Sequence, residues 1–195
     1  MFSGIIETLA KVDSIHRDEG NIRLTMRTPL AASLKIDQSV AHNGICLTVV
    51  HIEGDNYTVV AIDETIQKTS IGKWAIGQDI NIERCVALGA RLDGHMVQGH
   101  VDTTGTVQRV ETLEGSWKYT IQYNTDDLTV PKGSIAINGV SLTVVDSAPN
   151  SFSVCIIPYT FEHTTFQYLC EGDVVNLEFD IIGKYVATYL KHIKR

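Results

Sequence analysis

The chain has 195 residues, 44% of them hydrophobic, and carries 16 Lys and Arg against 23 Asp and Glu for a net charge of −7. This is room for one medium domain or two small ones with a packed core, which excludes wholesale disorder. The acidic balance argues against nucleic-acid binding as the main role. No apolar run is long enough for a membrane helix, and Met1-Phe2-Ser3-Gly4 lacks the basic start and apolar stretch of a secretion signal, so a soluble cytoplasmic protein is expected.

Taken in chain order, apolar residues alternate from Val40 to Val50 around the tight-turn dipeptide Asn43-Gly44, the pattern of a half-buried hairpin. Glu53-Gly54-Asp55-Asn56 reads as the next turn, and Tyr57 to Ile62 as the strand after it. A short helix is expected after Asp63-Glu64-Thr65, with Thr65 as its N-cap. The same succession then recurs: a strand pair from Ser134 to Val145 around Asn138-Gly139, the turn Ala148-Pro149-Asn150-Ser151, a strand from Phe152 to Ile157, and a short helix near Tyr159-Thr160-Phe161-Glu162, with Thr160 as N-cap. Past Gly183-Lys184, the apolar residues Tyr185, Val186, Tyr189, Leu190 and Ile193 form one helical stripe, with Lys191, Lys194 and Arg195 in the last turn, where cations favour the dipole. So short a helix must pack on something, either its own domain or another subunit.

The recurrence has a constant register. Met96-Val97-Gln98-Gly99 lies 95 residues after Met1-Phe2-Ser3-Gly4, and the same offset sets Asn138-Gly139-Val140-Ser141-Leu142-Thr143-Val144-Val145 on Asn43-Gly44-Ile45-Cys46-Leu47-Thr48-Val49-Val50. It also pairs Thr65 with Thr160, Thr69 with Thr164, Gly77 with Gly172, Asn81 with Asn176 and Glu83 with Glu178. The chain is a tandem duplication of a small, mostly β unit. Each copy of about six strands is expected to close into an antiparallel barrel, which removes exposed sheet edges. Cys46, Cys85, Cys155 and Cys170 lie far apart without CxxC spacing, so free thiols are expected, all but Cys46 being small buried fillers.

Since duplication preserves the scaffold, the positions where the copies differ carry the chemistry. Strand alternation places Cys46, Thr48 and Val50 on one face and Leu47 and Val49 on the other; Ser141 and Thr143 repeat the first face in the second copy. Each copy thus presents a small nucleophile-type side chain beside a threonine, a thiol in one and an alcohol in the other. Taken singly, either is equally a small core filler next to a turn. His100 stands where the first copy has Ile5, and a histidine in only one of two similar barrels is a candidate proton carrier. His95 and His100, five apart on a strand, point to opposite faces, so no shared metal is expected. Lys132 precedes the second Asn-Gly turn, and Asp63-Glu64 becomes Pro158-Tyr159 in the second copy. No phosphate-cradling loop or GxGxxG fingerprint occurs. Two similar but unequal pockets suit a reaction between two copies of one substrate.

At these residues the chain resembles riboflavin synthase, alpha chain. The likeness rests on Met1-Phe2-Ser3-Gly4-Ile5-Ile6-Glu7, on the paired Asn-Gly-Ile-Cys-Leu-Thr-Val and Asn-Gly-Val-Ser-Leu-Thr-Val segments, and on Gly94-His95-Met96-Val97-Gln98-Gly99-His100-Val101-Asp102, and it runs through the whole chain. It implies an all-β fold, a tandem pair of six-stranded antiparallel Greek-key β-barrels with a C-terminal α-helix, divided as 1–95, 96–184 and a helix at 185–195. It further implies a cofactor-free dismutation without a metal, in which two 6,7-dimethyl-8-ribityllumazine molecules exchange a four-carbon unit to give riboflavin and 5-amino-6-(ribitylamino)uracil. The family works as a homotrimer, each site lying between the first barrel of one subunit and the second barrel of a neighbour.

By position, the resemblance assigns Gly4, Ile5, Ile6, Cys46, Leu47, Thr48, Val60, Ala61, Ile62, Asp63, Glu64 and Thr65 to one ligand pocket. Gly99, His100, Val101, Lys132, Val140, Ser141, Leu142, Thr143, Cys155, Ile156, Ile157, Pro158, Tyr159 and Thr160 form the other. His100 then assists proton loss from a ring methyl, Ser141 with Thr143 polarises or adds to the ring, Cys46 and Thr48 serve the partner lumazine, and Lys132 meets the ribityl hydroxyls. Asp63 departs from the Lys usual in the family, which removes a cation near one substrate's polar chain. The main rival is a lumazine- or flavin-binding antenna protein of the same fold without catalysis. A reductase-type flavin barrel would need a nicotinamide domain for which there is no room.

Overall fold

The computed structural model describes residues 1–193 and contains twelve strands in two closed antiparallel barrels. The first comprises β1 (Thr8–Asp18), β2 (Asn21–Arg27), β3 (Ser39–His42), β4 (Ile45–Glu53), β5 (Asn56–Ala61) and β6 (Asp79–Arg84), ordered β1-β2-β5-β4-β3-β6 around the barrel. The second comprises β7 (Thr103–Leu113), β8 (Ser116–Tyr123), β9 (Ser134–Ile137), β10 (Val140–Ala148), β11 (Ser151–Ile156) and β12 (Val174–Phe179) in the equivalent order. The pairing of β2 with β5 around the β3–β4 hairpin is a Greek key. Bulges recur at matching places, after Val12 in β1 and Val107 in β7, where they bend the strands to close the barrel.

The sequence turns form as expected. Asn43 and Gly44 have φ of 44° and 79°, and Asn138 and Gly139 have 46° and 79°, so both hairpins use the two positive-φ residues that match strand twist. Each barrel has its own core, one around Leu24, Met26, Tyr57, Val59 and Ile80, the other around Tyr119, Ile121, Phe152, Phe166 and Leu177. Buried hydroxyls are satisfied: Tyr57 bonds His42 Nε2 at 2.7 Å and Tyr119 donates to the Phe166 carbonyl at 2.9 Å.

Two short helices, α1 (Asp63–Lys68) and α2 (Pro158–His163), follow β5 and β11. They begin before Thr65 and Thr160, which lie inside them and cap nothing. The capping threonines are Thr69 and Thr164, which accept from Ile71 N and Phe166 N at the start of the following 3-10 turns. Pro158, with its fixed φ and missing N–H, suits the first helical position and explains the earlier start. The thiols are unbridged, but Cys85 and Cys155 are half-buried and Cys170 is exposed, so the buried-filler expectation fails for these three.

Helix α3 (Ile181–Ile193) starts four residues before Tyr185 because Asp180 accepts from Ile182 N at 3.0 Å and caps it. Lys184 anchors it to the second barrel through Asp102 at 2.9 Å. None of its described residues is buried, and Tyr185, Val186, Tyr189, Leu190 and Ile193 are all more than half exposed. The helix therefore does not pack on its own barrels. Lys194 and Arg195, expected in its last turn, lie outside the described residues.

The contact between the barrels combines a small apolar cluster, Phe2 and Val97 with Ala41 and Ala136, with a repeated set of buried hydrogen bonds. Asn81 Oδ1 accepts from Thr165 N at 2.8 Å, and its amide donates to Asn138 O at 2.9 Å and Thr165 Oγ1 at 3.0 Å. Asn176 repeats this toward Ser70 N at 2.7 Å and Asn43 O at 2.9 Å. The two Asn-Gly turns meet back to back: a Cβ on Gly44 would lie 2.8 Å from Gly139 N, so each turn requires glycine for the closeness as well as for φ.

Candidate functional site

The segments that precede the two barrels are exchanged. Phe2 and Val97 pair as an antiparallel bridge, N to O at 2.7 and 3.1 Å, both fully buried. From there each chain segment runs to the opposite barrel. Ser141 N donates to Gly4 O at 2.8 Å, and Cys46 N donates to Gly99 O at 2.8 Å. Both contacts are too close for a side chain: a Cβ on Gly4 would lie 2.5 Å from Ser141 Cβ, and one on Gly99 2.6 Å from Cys46 Cβ. Ile6 packs on the second core and Val101 on the first.

Each crossing segment is gripped by a buried carboxylate. Glu83 of β6 accepts from Ser3 N at 2.6 Å, Ser3 Oγ at 2.8 Å and Gly4 N at 3.0 Å. Glu178 of β12 accepts from Gln98 N at 2.6 Å and from Gly99 N and His100 N at 2.9 Å each. Burial raises both carboxyl pKa values, and the converging N–H groups offset part of that rise.

This overturns the expected grouping of the pockets. The first-barrel pocket, a groove of about 230 Å³, is lined by Ile45, Cys46, Glu64, Thr65, Lys68 and Thr69 together with Gly99, His100 and Val101. On the second barrel it is Gly4 that lies against Ser141, with Ile6 packed on that barrel's core. Gly4–Ile6 and Gly99–Val101 thus change places relative to the assignment by position. The physical reason is that neither segment belongs to a barrel ladder, so its neighbours are set by the bridge at Phe2–Val97 and not by which copy encodes it.

Other residues stand where alternation puts them. In β4, Cys46 is half-buried and Thr48 exposed while Leu47 and Val49 point into the core; in β10, Ser141 and Thr143 repeat the outward face beside buried Val140 and Val144, with Leu142 against the core. Ala61 and Ile156 are core residues, Val60 and Cys155 are half-buried on the outward face, and Ile62, Asp63, Ile157, Pro158 and Tyr159 are exposed beside half-buried Thr65 and Thr160. Lys132 N donates to Val144 O at 2.9 Å, which ties its backbone to β10, and its side chain is exposed. Burial pushes the Cys46 thiol up, which favours the protonated thiol over the thiolate.

Two residues escaped sequence reasoning. Lys68 lines the first pocket and pairs with Glu64 at 3.0 Å, one helical turn apart, so a cation is present despite Asp63. The i, i+4 spacing of Glu64 and Lys68 was the available signal. His95 is buried and its Nδ1 lies 2.6 Å from Ser141 Oγ, while its Nε2 has no hydrogen-bond partner among the described residues. Burial lowers its pKa, with Asp180 opposing, which favours the neutral ring beside Ser141. No signal in the sequence pairs residues 95 and 141.

The larger cavity, about 540 Å³, lies between the barrels and contains repeat-related pairs such as Asn43 with Asn138 and Gly77 with Gly172. None of the predicted site residues lines it, and its asparagines are committed to the interface, whereas Cys46, Glu64, Thr65, Gly99, His100 and Val101 line the smaller groove. Among the described residues no three His, Cys, Asp or Glu side chains converge as a metal site, and no helix is long and apolar enough to cross a membrane.

The lumazine binding domain family matches residues 3–85 and again 98–180. Over 193 residues the chain is 37% identical to the riboflavin synthase of Actinobacillus pleuropneumoniae, covering 97% of this chain and 90% of that one. It is 35% identical over 194 residues to the riboflavin synthase of Bacillus subtilis (strain 168), with the same two coverages of 97% and 90%. Among solved structures, LumP complexed with 6,7-dimethyl-8-(1'-D-ribityl) lumazine superimposes with a TM-score of 0.84 at 25% identity, over 91% of this chain and 98% of that one. LumP complexed with riboflavin gives 0.85 at 24% identity, over 92% and 99%, a likeness of fold alone.

Proposed function

The chain belongs to the riboflavin synthase family of paired lumazine-binding domains, and from that premise we propose that it converts two molecules of 6,7-dimethyl-8-ribityllumazine into riboflavin and 5-amino-6-(ribitylamino)uracil. This four-carbon transfer is the last step of riboflavin biosynthesis, carried out in the cytoplasm. The observation that carries the proposal is that equivalent places on one duplicated scaffold are equipped differently, with Cys46 and His100 lining a groove on the first barrel and Ser141 beside His95 on the second.

Residues 1–95 and 96–184 act as the two lumazine-binding barrels and 185–195 as the assembly segment. His100, exposed at the rim of the first pocket, takes and returns the proton of the ring methyl. Ser141, its hydroxyl hydrogen-bonded to His95 Nδ1, polarises or adds to the ring of the second lumazine. Exposed main-chain N–H and C=O groups at the barrel rims suit the uracil-like edge of the ring, and Lys68 and Lys132 suit the ribityl hydroxyls. Holding two substrates in reacting orientation contributes about 7–11 kcal/mol.

At about 230 Å³ the first groove is smaller than the roughly 300–1,000 Å³ of pockets that bury a ligand, which supports a site completed by a second surface. The uncovered apolar stripe of α3 supports a homotrimer in which the first pocket of one subunit faces the second of a neighbour. Co-refolding His100→Ala with Ser141→Ala protomers tests this. Each variant alone is expected to be inactive and the mixture to regain turnover, because some sites then join two intact halves. A mixture as inactive as its components would refute the shared site.

The likeness to LumP supports a second reading, a lumazine carrier without turnover. Retention of His100, Ser141 and Cys46 favours the enzyme.

A further inference from the structure

We propose that Glu83 and Glu178 are positioning residues that act across the barrel boundary, each rooted in one barrel and holding the segment that completes the other barrel's ligand pocket. The inference rests on the pocket assignments of the proposed function, and the bonds that carry it are independent of them. Glu178 belongs to β12 of the second barrel, yet the three N–H groups it collects are those of Gln98, Gly99 and His100, whose segment lines the groove over Cys46 in the first barrel. Glu83 belongs to β6 of the first barrel, and the Ser3–Gly4 segment it holds lies over Ser141 of the second.

A carboxylate suits this task because three donors converge on two oxygens, and it has acceptor capacity on both. A glutamine has one acceptor oxygen, and its amide nitrogen would face another N–H. Gly99, at φ 79°, turns the segment so that successive N–H groups point at Glu178 while its carbonyl accepts from Cys46 N. The Glu178 carboxylate, the Gly99 peptide and the Cys46 backbone thereby form one chain of bonds from β12 to β4. His100 is the third residue held, so its ring position over the groove depends on a side chain in the opposite barrel. Displacement of a catalytic group by about 1 Å can cost roughly 100-fold in rate. A carboxylate serving only its own barrel's stability would leave the opposite pocket untouched.

The test uses the full chain and two readouts. In amide NMR spectra without ligand, Glu178→Gln is expected to displace Gln98, Gly99, His100 and Cys46 while sparing Ser141; Glu83→Gln is expected to displace Ser3, Gly4 and Ser141 while sparing Cys46. With 6,7-dimethyl-8-ribityllumazine carrying 13C-methyl groups, Glu178→Gln should perturb the bound signals that Cys46→Ala perturbs, and kcat should fall at least tenfold with a smaller change in KM. Glu178→Asp, which keeps the charge and shortens the reach by one carbon, serves if the glutamine variant does not fold, and should move the same four amides. A Cys46 amide unmoved by both substitutions, or bound signals changed as by Ser141→Ala, overturns the proposal. Absence of any bound signal from the unsubstituted chain overturns the functional assignment instead, and the amide comparison still decides the positioning role.

Discussion

Replacing Asn81 by alanine should loosen the two barrels from each other. Asn81 is almost fully buried, and its amide supplies the acceptor for Thr165 N and the donor for Asn138 O and Thr165 Oγ1. The substitution leaves two backbone groups of the second barrel without partners. Each buried orphan costs about 1–3 kcal/mol, so the expected loss is roughly 2–6 kcal/mol, against a total stability of about 5–15 kcal/mol for an ordinary domain. The space vacated is large enough for one water, which would hold the loss near the lower end. Urea titration measures it, because the chain has two tryptophans, Trp74 beside the first core and Trp117 stacked on Phe161 at 3.8 Å in the second barrel. Single-tryptophan versions report each barrel, and both midpoints should fall by about 1 M or more for a slope near 2 kcal/mol per M. Asn176→Ala should cost slightly less, since Ser70 Oγ is occupied by the Trp74 indole and the third bond is missing. A loss below about 1 kcal/mol, or a shift confined to Trp74, would refute the view that these side chains join the barrels.

His42 makes stability pH-dependent. Its ring is fully buried between the Val40 carbonyl and the Tyr57 hydroxyl, and burial lowers its pKa to about 4. The unfolded chain therefore binds the proton first: stability is greatest above pH 6.5, falls as pH drops toward 4 by up to about 3 kcal/mol, and flattens below that. Urea midpoints between pH 7 and 4 should show this slope, and a His42→Phe variant should lack that part of it. Gly99→Ala should cost at least tenfold in turnover because its Cβ meets Cys46, whereas Gly20→Ala, equally left-handed but with nothing within 4 Å, should lose only a little stability and no turnover.

The barrels were legible because duplication repeats local signals at one offset. Asn43-Gly44 and Asn138-Gly139 announce their hairpins through turn chemistry alone, and the outward faces of β4 and β10 follow from simple alternation. The grouping of the candidate site residues was not legible in the sequence. Gly4 and Gly99 sit outside the strands, so no periodicity binds them to a copy, and their partners are chosen by long-range bonds to Glu83 and Glu178. Those two glutamates were visible only as a repeated pair. Thr65 and Thr160 carry the right side chain for a cap, yet the backbone enters its helices two residues earlier. Lys68 was hidden by attention to Asp63, although helical spacing places it beside Glu64. The His95–Ser141 contact joins a loop to a strand 46 residues away, a juxtaposition that only the folded chain displays.

The most direct measurement is incubation of the purified full chain with 6,7-dimethyl-8-ribityllumazine and no added cofactor, following riboflavin absorbance together with the pyrimidine by-product. One riboflavin and one pyrimidine for every two lumazines consumed is the expected result. Tight binding of lumazine without turnover would contradict it and leave the chain as a carrier of the same fold.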